Sequence, residues 1–270
     1  MAILRDLLRK SALPALESRM LWQHVLQVTR AWLIAHDDKE ISSAQYAAYA
    51  ALEARRLAGE PMAYILGCRE FMGHQFEVSP AVLIPRPETE LLVEQAVRVI
   101  EETRARSVLD LGTGSGAIAI SIALACPQVQ VTATDIQDDA LEIAKRNAGR
   151  LGAKVEFLQG SWYQALPDNK VFDLIVSNPP YIAEFDGHLQ QGDLRFEPSA
   201  ALSDGADGLS ALREIVTGAP PRLRKGGSLY VEHGWDQAEA VCHLLEEGGF
   251  CQASSLADLA GILRVSGGHY

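Results

Sequence analysis

Ser107-Val108-Leu109-Asp110-Leu111-Gly112-Thr113-Gly114-Ser115-Gly116 is the stretch on which the fold turns. Its first five residues form an apolar run of strand length, the glycines make a turn, and the apolar residues from Ala117 onward read as a buried helix. Outward from this stretch the alternation repeats. A strand over 129–134 ends in Asp135, a helix covers 138–150, a strand covers 154–158, and 171–176 is another apolar strand. A helical stretch over 208–223, a strand over 228–232, a helix over 237–247 and strands over 251–256 and 261–266 complete the series. Strand and helix in turn predict an α/β, doubly wound sheet.

The glycine turn narrows the ligand. A dinucleotide site calls for G-x-G-x-x-G with pyrophosphate on the helix N-terminus, whereas this chain has G-x-G-x-G with Asp110 just before it. An acid there repels phosphate and suits a cation. Asp135, at the tip of the next strand, can accept two hydrogen bonds from a ribose diol. The paired acids therefore point to a nucleoside with a positive tail, of which S-adenosyl-L-methionine is one. Trp162, after Gly160-Ser161, is placed to stack on an adenine or to fill the core.

Asn178-Pro179-Pro180-Tyr181 follows the strand over 171–176, at the carboxyl end where open α/β sheets do their chemistry. Two prolines in a row lack N–H groups and exclude a helix, so the tetrapeptide is a rigid spur. It offers acceptors, the Asn178 side-chain oxygen and the Pro179 carbonyl, with the Tyr181 ring beside them. A planar –NH2 group, on an amide or a base, suits those acceptors and leaves its nitrogen lone pair free. An Asn-Pro turn with an adjoining aromatic is the purely structural alternative.

The first 58 residues carry leucines and valines at three- and four-residue steps with no strand signal, predicting a small helical bundle that holds a partner or caps the fold. Ser42 with Gln45 reads as a capping box, Pro14 suits a helix first turn, and Gly59 with Pro61 ends the run. Around Gly73-His74, two short alternating segments predict a β-hairpin. The expected division is a helical substrate-binding domain over 1–67, a hairpin linker over 68–86 and a catalytic domain over 87–270. Arg86, Glu88 and Glu90 form a charge network or line the mouth of the site, and 183–198 reads as a long polar loop that covers a site or meets a partner.

Acidic residues outnumber basic ones, 35 to 24, and the net charge of −11 disfavours sequence-blind attraction to duplex nucleic acid. Cys68, Cys126, Cys242 and Cys251 have no zinc spacing, so no metal is expected and the thiols are read as reduced and mostly buried. The longest apolar run, 117–126, is too short to span a bilayer, and the N-terminus lacks a secretory core. A cytoplasmic protein with no membrane partner is the expectation.

With these residues in hand, the chain resembles the HemK/PrmC family, the N5-glutamine methyltransferases of peptide-chain release factors. The resemblance runs nearly end to end, through Gly59-Glu60-Pro61, Tyr64-Ile65, Gly67, LIPRPETE over 83–90, VLDLGTGSGAIAI over 108–120, the NPPY spur, Arg195-Phe196-Glu197-Pro198 and Glu232-His233-Gly234. It implies a Rossmann-like class I methyltransferase sheet using S-adenosyl-L-methionine, with class 1 release factors as partners. It also implies roles: Gly112, Thr113, Gly114, Ser115 and Gly116 around the methionine part of the cofactor, Asp110 near its ammonium, Asp135 on the ribose and Trp162 on the adenine. Asn178, Pro179, Pro180 and Tyr181 would hold the target glutamine, with Arg86 and Glu197 assigned to the substrate side. Ser161 departs from the family, which commonly has an acid there. NPPY alone is shared with adenine-N6 methyltransferases, and an identical chemistry would serve glutamine methylation of a ribosomal protein; a cofactor-binding scaffold without turnover is the reading from another class.

Overall fold

In the computed structural model, which describes residues 2–270, the chain divides into two compact units, with the boundary between Cys68 and Arg69. The first is helical, with helices Leu4–Lys10, Ala15–Leu26, Arg30–Ala35, Ser43–Leu57 and Met62–Leu66. Their apolar faces meet in a core of Leu4, Leu21, Trp22, Leu33, Ile41, Tyr49 and Ile65. Trp22 stacks on Tyr49 with ring centroids 4.2 Å apart, and the Tyr49 hydroxyl is satisfied at Ser18, 2.8 Å away. Both halves of the Ser42–Gln45 capping box form. Pro14 stands one place outside its helix, at the N-cap. One expectation fails: Ala2–Ile3 pairs antiparallel with Glu40–Ile41, so a strand pair does interrupt the helical pattern. Two residues are too few to show a period of two, and their partner lies far along the chain.

The hairpin Cys68–Phe71 and His74–Glu77 begins at the boundary and lies, from Arg69 on, in the second unit. Met72 and Gly73 at its tip both have positive φ, the two-residue turn that matches strand twist. Then comes the sheet, with β1 (Ser107–Leu111), β2 (Gln130–Asp135), β3 (Val155–Gln159), β4 (Phe172–Ser177), β5 (Leu223–Glu232), β6 (Cys251–Ala257) and β7 (Leu263–His269). Their order is β6-β7-β5-β4-β1-β2-β3, and only β7 runs antiparallel to its neighbours. Side chains on the central strands alternate between two cores. Val108, Leu174, Val176 and Tyr230 pack with helices Glu90–Thr103 and Ala117–Ala125; Leu109, Leu111, Ile175, Leu229 and Val231 pack with Ser210–Gly218 and Ala238–Glu247. Both faces are covered, which is why these strands read as continuous apolar runs.

From β1 the chain moves outward to β2 and β3, and then returns to place β4 on the other side of β1. The crevice at the carboxyl ends of β1 and β4 is therefore the switch point where such sheets bind ligands. The element ends differ from the sequence reading in several places. Helix Ser210–Gly218 stops early and Pro220–Arg222 forms a separate short turn, because consecutive prolines cannot extend a helix. Strand β5 starts at Leu223, five residues before its apolar stretch, because Arg224-Lys225-Gly226 hides the pattern. Segment 183–198 contains two short turns of helix, Gly187–Gln190 and Leu194–Phe196. Of the four free thiols only Cys126 is buried and Cys251 is exposed, which corrects the expectation that most would be buried. Among the described residues no helix is long and apolar enough to cross a membrane.

Candidate active site

Strand β1 ends at Leu111 and the chain turns sharply. Gly112 has φ +70°, and a Cβ built on it would lie 3.2 Å from the Trp162 ring, so this glycine serves both the turn and the close approach of the indole. The turn is tied to β2: Gly112 N–H and Thr113 N–H both donate to the Thr134 carbonyl at 2.9 Å. Gly114 N–H donates to Asp135 Oδ2 at 2.8 Å, and Gln137 N–H to Oδ1 at 2.9 Å, which fixes the Asp135 carboxylate at the strand tip. Burial raises the Asp135 carboxyl above its ordinary range, and the backbone donors oppose this.

Asp110 is completely buried beneath the turn. Its Oδ2 accepts from Thr113 Oγ1 at 2.6 Å, while Oδ1 has no hydrogen-bond partner. Burial pushes this carboxyl up to about 7 against the Thr113 hydroxyl. Gly116 plays a different part: a Cβ there would come within 2.7 Å of Ile120 and 3.1 Å of Ala144, so its absence lets two helices pack.

At the end of β4, Asn178 Nδ2 donates to Thr89 Oγ1 at 3.1 Å, leaving Oδ1 available as an acceptor. Tyr181 O–H donates to Glu232 Oε1 at 3.3 Å, at the end of β5. Glu232 is 1% exposed, its Oε2 has no hydrogen-bond partner, and burial raises its carboxyl to about 7, with Thr89 and Tyr181 acting against the rise. Burial likewise raises the Tyr181 phenol. Arg86 pairs with the buried Glu197, whose second oxygen accepts from Ile84 N–H at 3.0 Å.

One cavity of about 530 Å³ joins these parts. Gly112, Thr113, Gly114, Ser115, Asp135 and Trp162 line one region of its wall, and Arg86, Thr89, Asn178 and Pro180 line another. Its size suits a small-molecule site. Asp110, Gly116, Pro179, Tyr181 and Glu197, which the sequence reading placed on cofactor or substrate, do not line it. Each has a physical reason: Asp110 is wholly buried beneath the turn with one oxygen on Thr113, Glu197 is held by Arg86 and the Ile84 N–H, Gly116 serves helix packing, Tyr181 is bound by Glu232, and the Pro179 ring is buried. No cluster of His, Cys, Asp or Glu that could hold a metal occurs among the described residues.

Two residues of the site had no role in the sequence reading. Thr89 sits inside LIPRPETE, where its neighbours' charges draw attention away from it. Asn147 is fully buried; Nδ2 donates to the Ser115 carbonyl at 2.9 Å and the Glu77 carbonyl at 3.0 Å, and Oδ1 accepts from Glu77 N–H at 2.7 Å. It thus ties the hairpin to the glycine turn. A polar residue among Ala144, Ala148 and Leu151 on the apolar stripe of its helix is the signal that could have found it.

The comparisons agree with this geometry. Residues 2–67 match the family model described as PrmC N-terminal domain, and residues 87–193 match Methyltransferase small domain. The release factor glutamine methyltransferase of Bordetella pertussis is 60% identical, with 100% of each chain covered. That of Burkholderia pseudomallei is 51% identical over 97% of this chain and 94% of its own. Among solved structures, the T. thermophilus 16S rRNA N2 G1207 methyltransferase, in complex with AdoMet and guanosine, superposes with a TM-score of 0.56 at 22% identity, over 75% of this chain and 49% of that one. That likeness establishes the methyltransferase-type sheet. With a switch-point cavity between the glycine turn and the NPPY spur, and end-to-end identity at this level, the chain belongs to the release factor glutamine methyltransferase family.

Proposed function

We propose that this chain transfers a methyl group from S-adenosyl-L-methionine to the side-chain amide nitrogen, N5, of the glutamine in the Gly-Gly-Gln motif of class 1 peptide-chain release factors, in the cytoplasm. The observation that carries the reading is the Asn178 amide: its nitrogen end is engaged by Thr89, so its oxygen end is left to accept, in the same cavity that the glycine turn lines. A substrate –NH2 needs acceptors, and a spur with two prolines offers no competing N–H.

The residues present fit the cofactor. The missing Cβ of Gly112 leaves room beside Trp162, and Asp135 is held at the strand tip by backbone donors with lone pairs still free for a diol. Gly112 to Ser115 would hold the amino-acid end, Asp135 the ribose and Trp162 the adenine. Asp110 acts from beneath, through Thr113, and a cationic ligand above would favour its charged form. When bound, the cofactor supplies a methyl group on a cationic sulfur.

The chain's own residues then align the acceptor. An amide nitrogen is a poor nucleophile, since its lone pair is delocalised into the carbonyl. Asn178 Oδ1 accepts from the substrate N–H, helps fix the nitrogen, and binds more strongly as positive charge builds on it. Alignment of this type contributes about 7–11 kcal/mol in well-oriented systems. As the amide nitrogen gains the methyl, the methyl's bond to sulfur would break to leave a neutral thioether, and one N–H proton would then pass to solvent, so that the methylated amide is neutral again. Arg86, held by Glu197, braces the segment before Thr89, and the helical N-terminal unit holds the protein substrate.

The test uses the full chain, labelled cofactor and a class 1 release factor, with the modified residue located by mass. Methyl label on the Gly-Gly-Gln glutamine, absent when that glutamine is replaced, is the expected result. Asn178→Ala should lower turnover by at least about 10²-fold while cofactor affinity changes little. Near-normal turnover in Asn178→Ala would overturn the assignment.

A further inference from the structure

A spur that aligns a reactant has to be held still, yet Pro179 and Pro180 remove the N–H groups by which a fold would grip its middle. Its carbonyls remain. The Tyr181 carbonyl is taken by Gln237, whose Nε2 donates to it at 3.0 Å. The second hydrogen of the same –NH2 goes to the Gly208 carbonyl at 3.1 Å, and Oε1 accepts from Gly234 N–H at 2.8 Å. These partners fix the amide, because turned over it would set its oxygen against two carbonyl oxygens and its –NH2 against an N–H.

One side chain thereby joins three elements. Gly234 lies two residues beyond β5, in which Val231 stands opposite Ser177 at the end of β4. Tyr181 closes the spur that leaves β4, and Gly208 belongs to the loop before helix Ser210–Gly218. That loop is braced in its own right, since the Asp204 carboxylate accepts from the N–H groups of Ala206, Gly208 and Ser210. The junction is also tight. Gly208 has φ +83°, and a Cβ built on it would lie 2.7 Å from the Tyr181 carbonyl oxygen and 3.0 Å from Gln237 Nε2. Loss of the Gln237 donor and gain of a methyl at Gly208 would therefore disturb the same atom, the Tyr181 oxygen, by unrelated means.

We propose that Gln237 is a positioning residue for methyl transfer, which anchors the spur by its Tyr181 carbonyl and so sets where Asn178 Oδ1 stands. The proposal rests on the reading of Asn178 given above. Gln237 does not line the cavity and touches no reactant. It acts through Tyr181, and the two prolines, with φ fixed by their rings, carry a displacement of Tyr181 back to Asn178 instead of absorbing it. Misplacing an aligned group by about 1 Å costs on the order of 10²-fold in rate.

The experiment measures kcat and KM for cofactor and release factor, cofactor Kd by calorimetry, and thermal melting as a check on folding. It compares the full-length chain with Gln237→Met, Gln237→Glu, Gly208→Ala and the Gln237→Met/Gly208→Ala double variant, at about pH 8, where an introduced carboxyl is ionised. Methionine keeps the length of the side chain without its donors, whereas glutamate keeps the shape and turns a carboxylate on two carbonyls. Gln237→Met and Gly208→Ala should each lower kcat by about tenfold and Gln237→Glu by about 100-fold, with both KM values and the cofactor Kd within about threefold. The double variant should stay within about threefold of the slower single one, because both changes displace one carbonyl. A latch that serves stability alone gives lower melting temperatures with wild-type kcat, and that result in either Gln237 variant would overturn the proposal. So would losses confined to KM or Kd, a Gln237→Glu no slower than Gln237→Met, or losses that multiply in the double variant. Asn178→Ala separates the two levels: if it is active, the reading of Asn178 fails, whereas an inactive Asn178→Ala beside a fully active Gln237→Met sinks only the positioning role.

Discussion

Replacing Glu232 by glutamine tests the electrostatics of the site independently of its chemistry. Burial raises the Glu232 carboxyl from an ordinary 4.5 to about 7. The unfolded chain releases that proton near the ordinary value, so between the two values the native state holds a proton that the unfolded state has lost. Stability from this group is complete below the ordinary value and is lost as pH climbs to about 7. An interval of about 2.5 pH units at about 1.4 kcal/mol each gives about 3 kcal/mol, most of which falls between about pH 5 and about pH 8. Glutamine has nearly the same shape and does not titrate. The assay is thermal unfolding of the wild type and Glu232→Gln, without ligand, across that range. The melting temperature of the variant should gain on the wild type by about 5–10 °C from the acid end to the alkaline end. Asp110, raised by the same cause, is present in both proteins and cancels in the difference. Parallel curves would refute the reasoning, because they would mean that Glu232 binds its proton equally well folded and unfolded.

Gly112→Ala adds a Cβ 3.2 Å from the Trp162 ring at a φ of +70°, so both the turn and the indole must shift; cofactor affinity should fall by about tenfold, read by calorimetry, with a change in tryptophan fluorescence. Glu197→Ala leaves the Arg86 guanidinium and the Ile84 N–H without their acceptor, and should cost about 3 kcal/mol in urea unfolding, with no rescue by added cofactor beyond what the wild type gains.

Much of the molecule follows from local pattern. The strand, glycine turn and helix over 107–125, the apolar run before Asn178, and the alternation that continues to the C-terminus all leave a period or a turn residue in the chain, so the doubly wound sheet was legible without coordinates. The motifs also put Gly112 to Ser115, Asp135, Trp162 and Asn178 at strand ends, where the structure lines one cavity with them. Local pattern failed where no period exists, as in the pairing of Ala2–Ile3 with Glu40–Ile41. It also assigned residues to ligand contact that the fold uses internally: Asp110 and Glu197 look available as bare carboxylates in a sequence, but each is claimed by a donor brought from another element or turn.

The amino-acid order by itself determined the sheet, the switch-point site and the chemistry of an acceptor-rich spur, because hydrophobic period, turn preference and missing N–H groups are properties of neighbouring residues. Only the tertiary structure decided which end of the Asn178 amide is free and which carboxyl is buried without a full set of partners. Those outcomes depend on Thr89, 89 residues away in the chain, and on Glu232 at the end of another strand. A hydrogen bond has direction, and direction is set by whatever group packing brings to its other end.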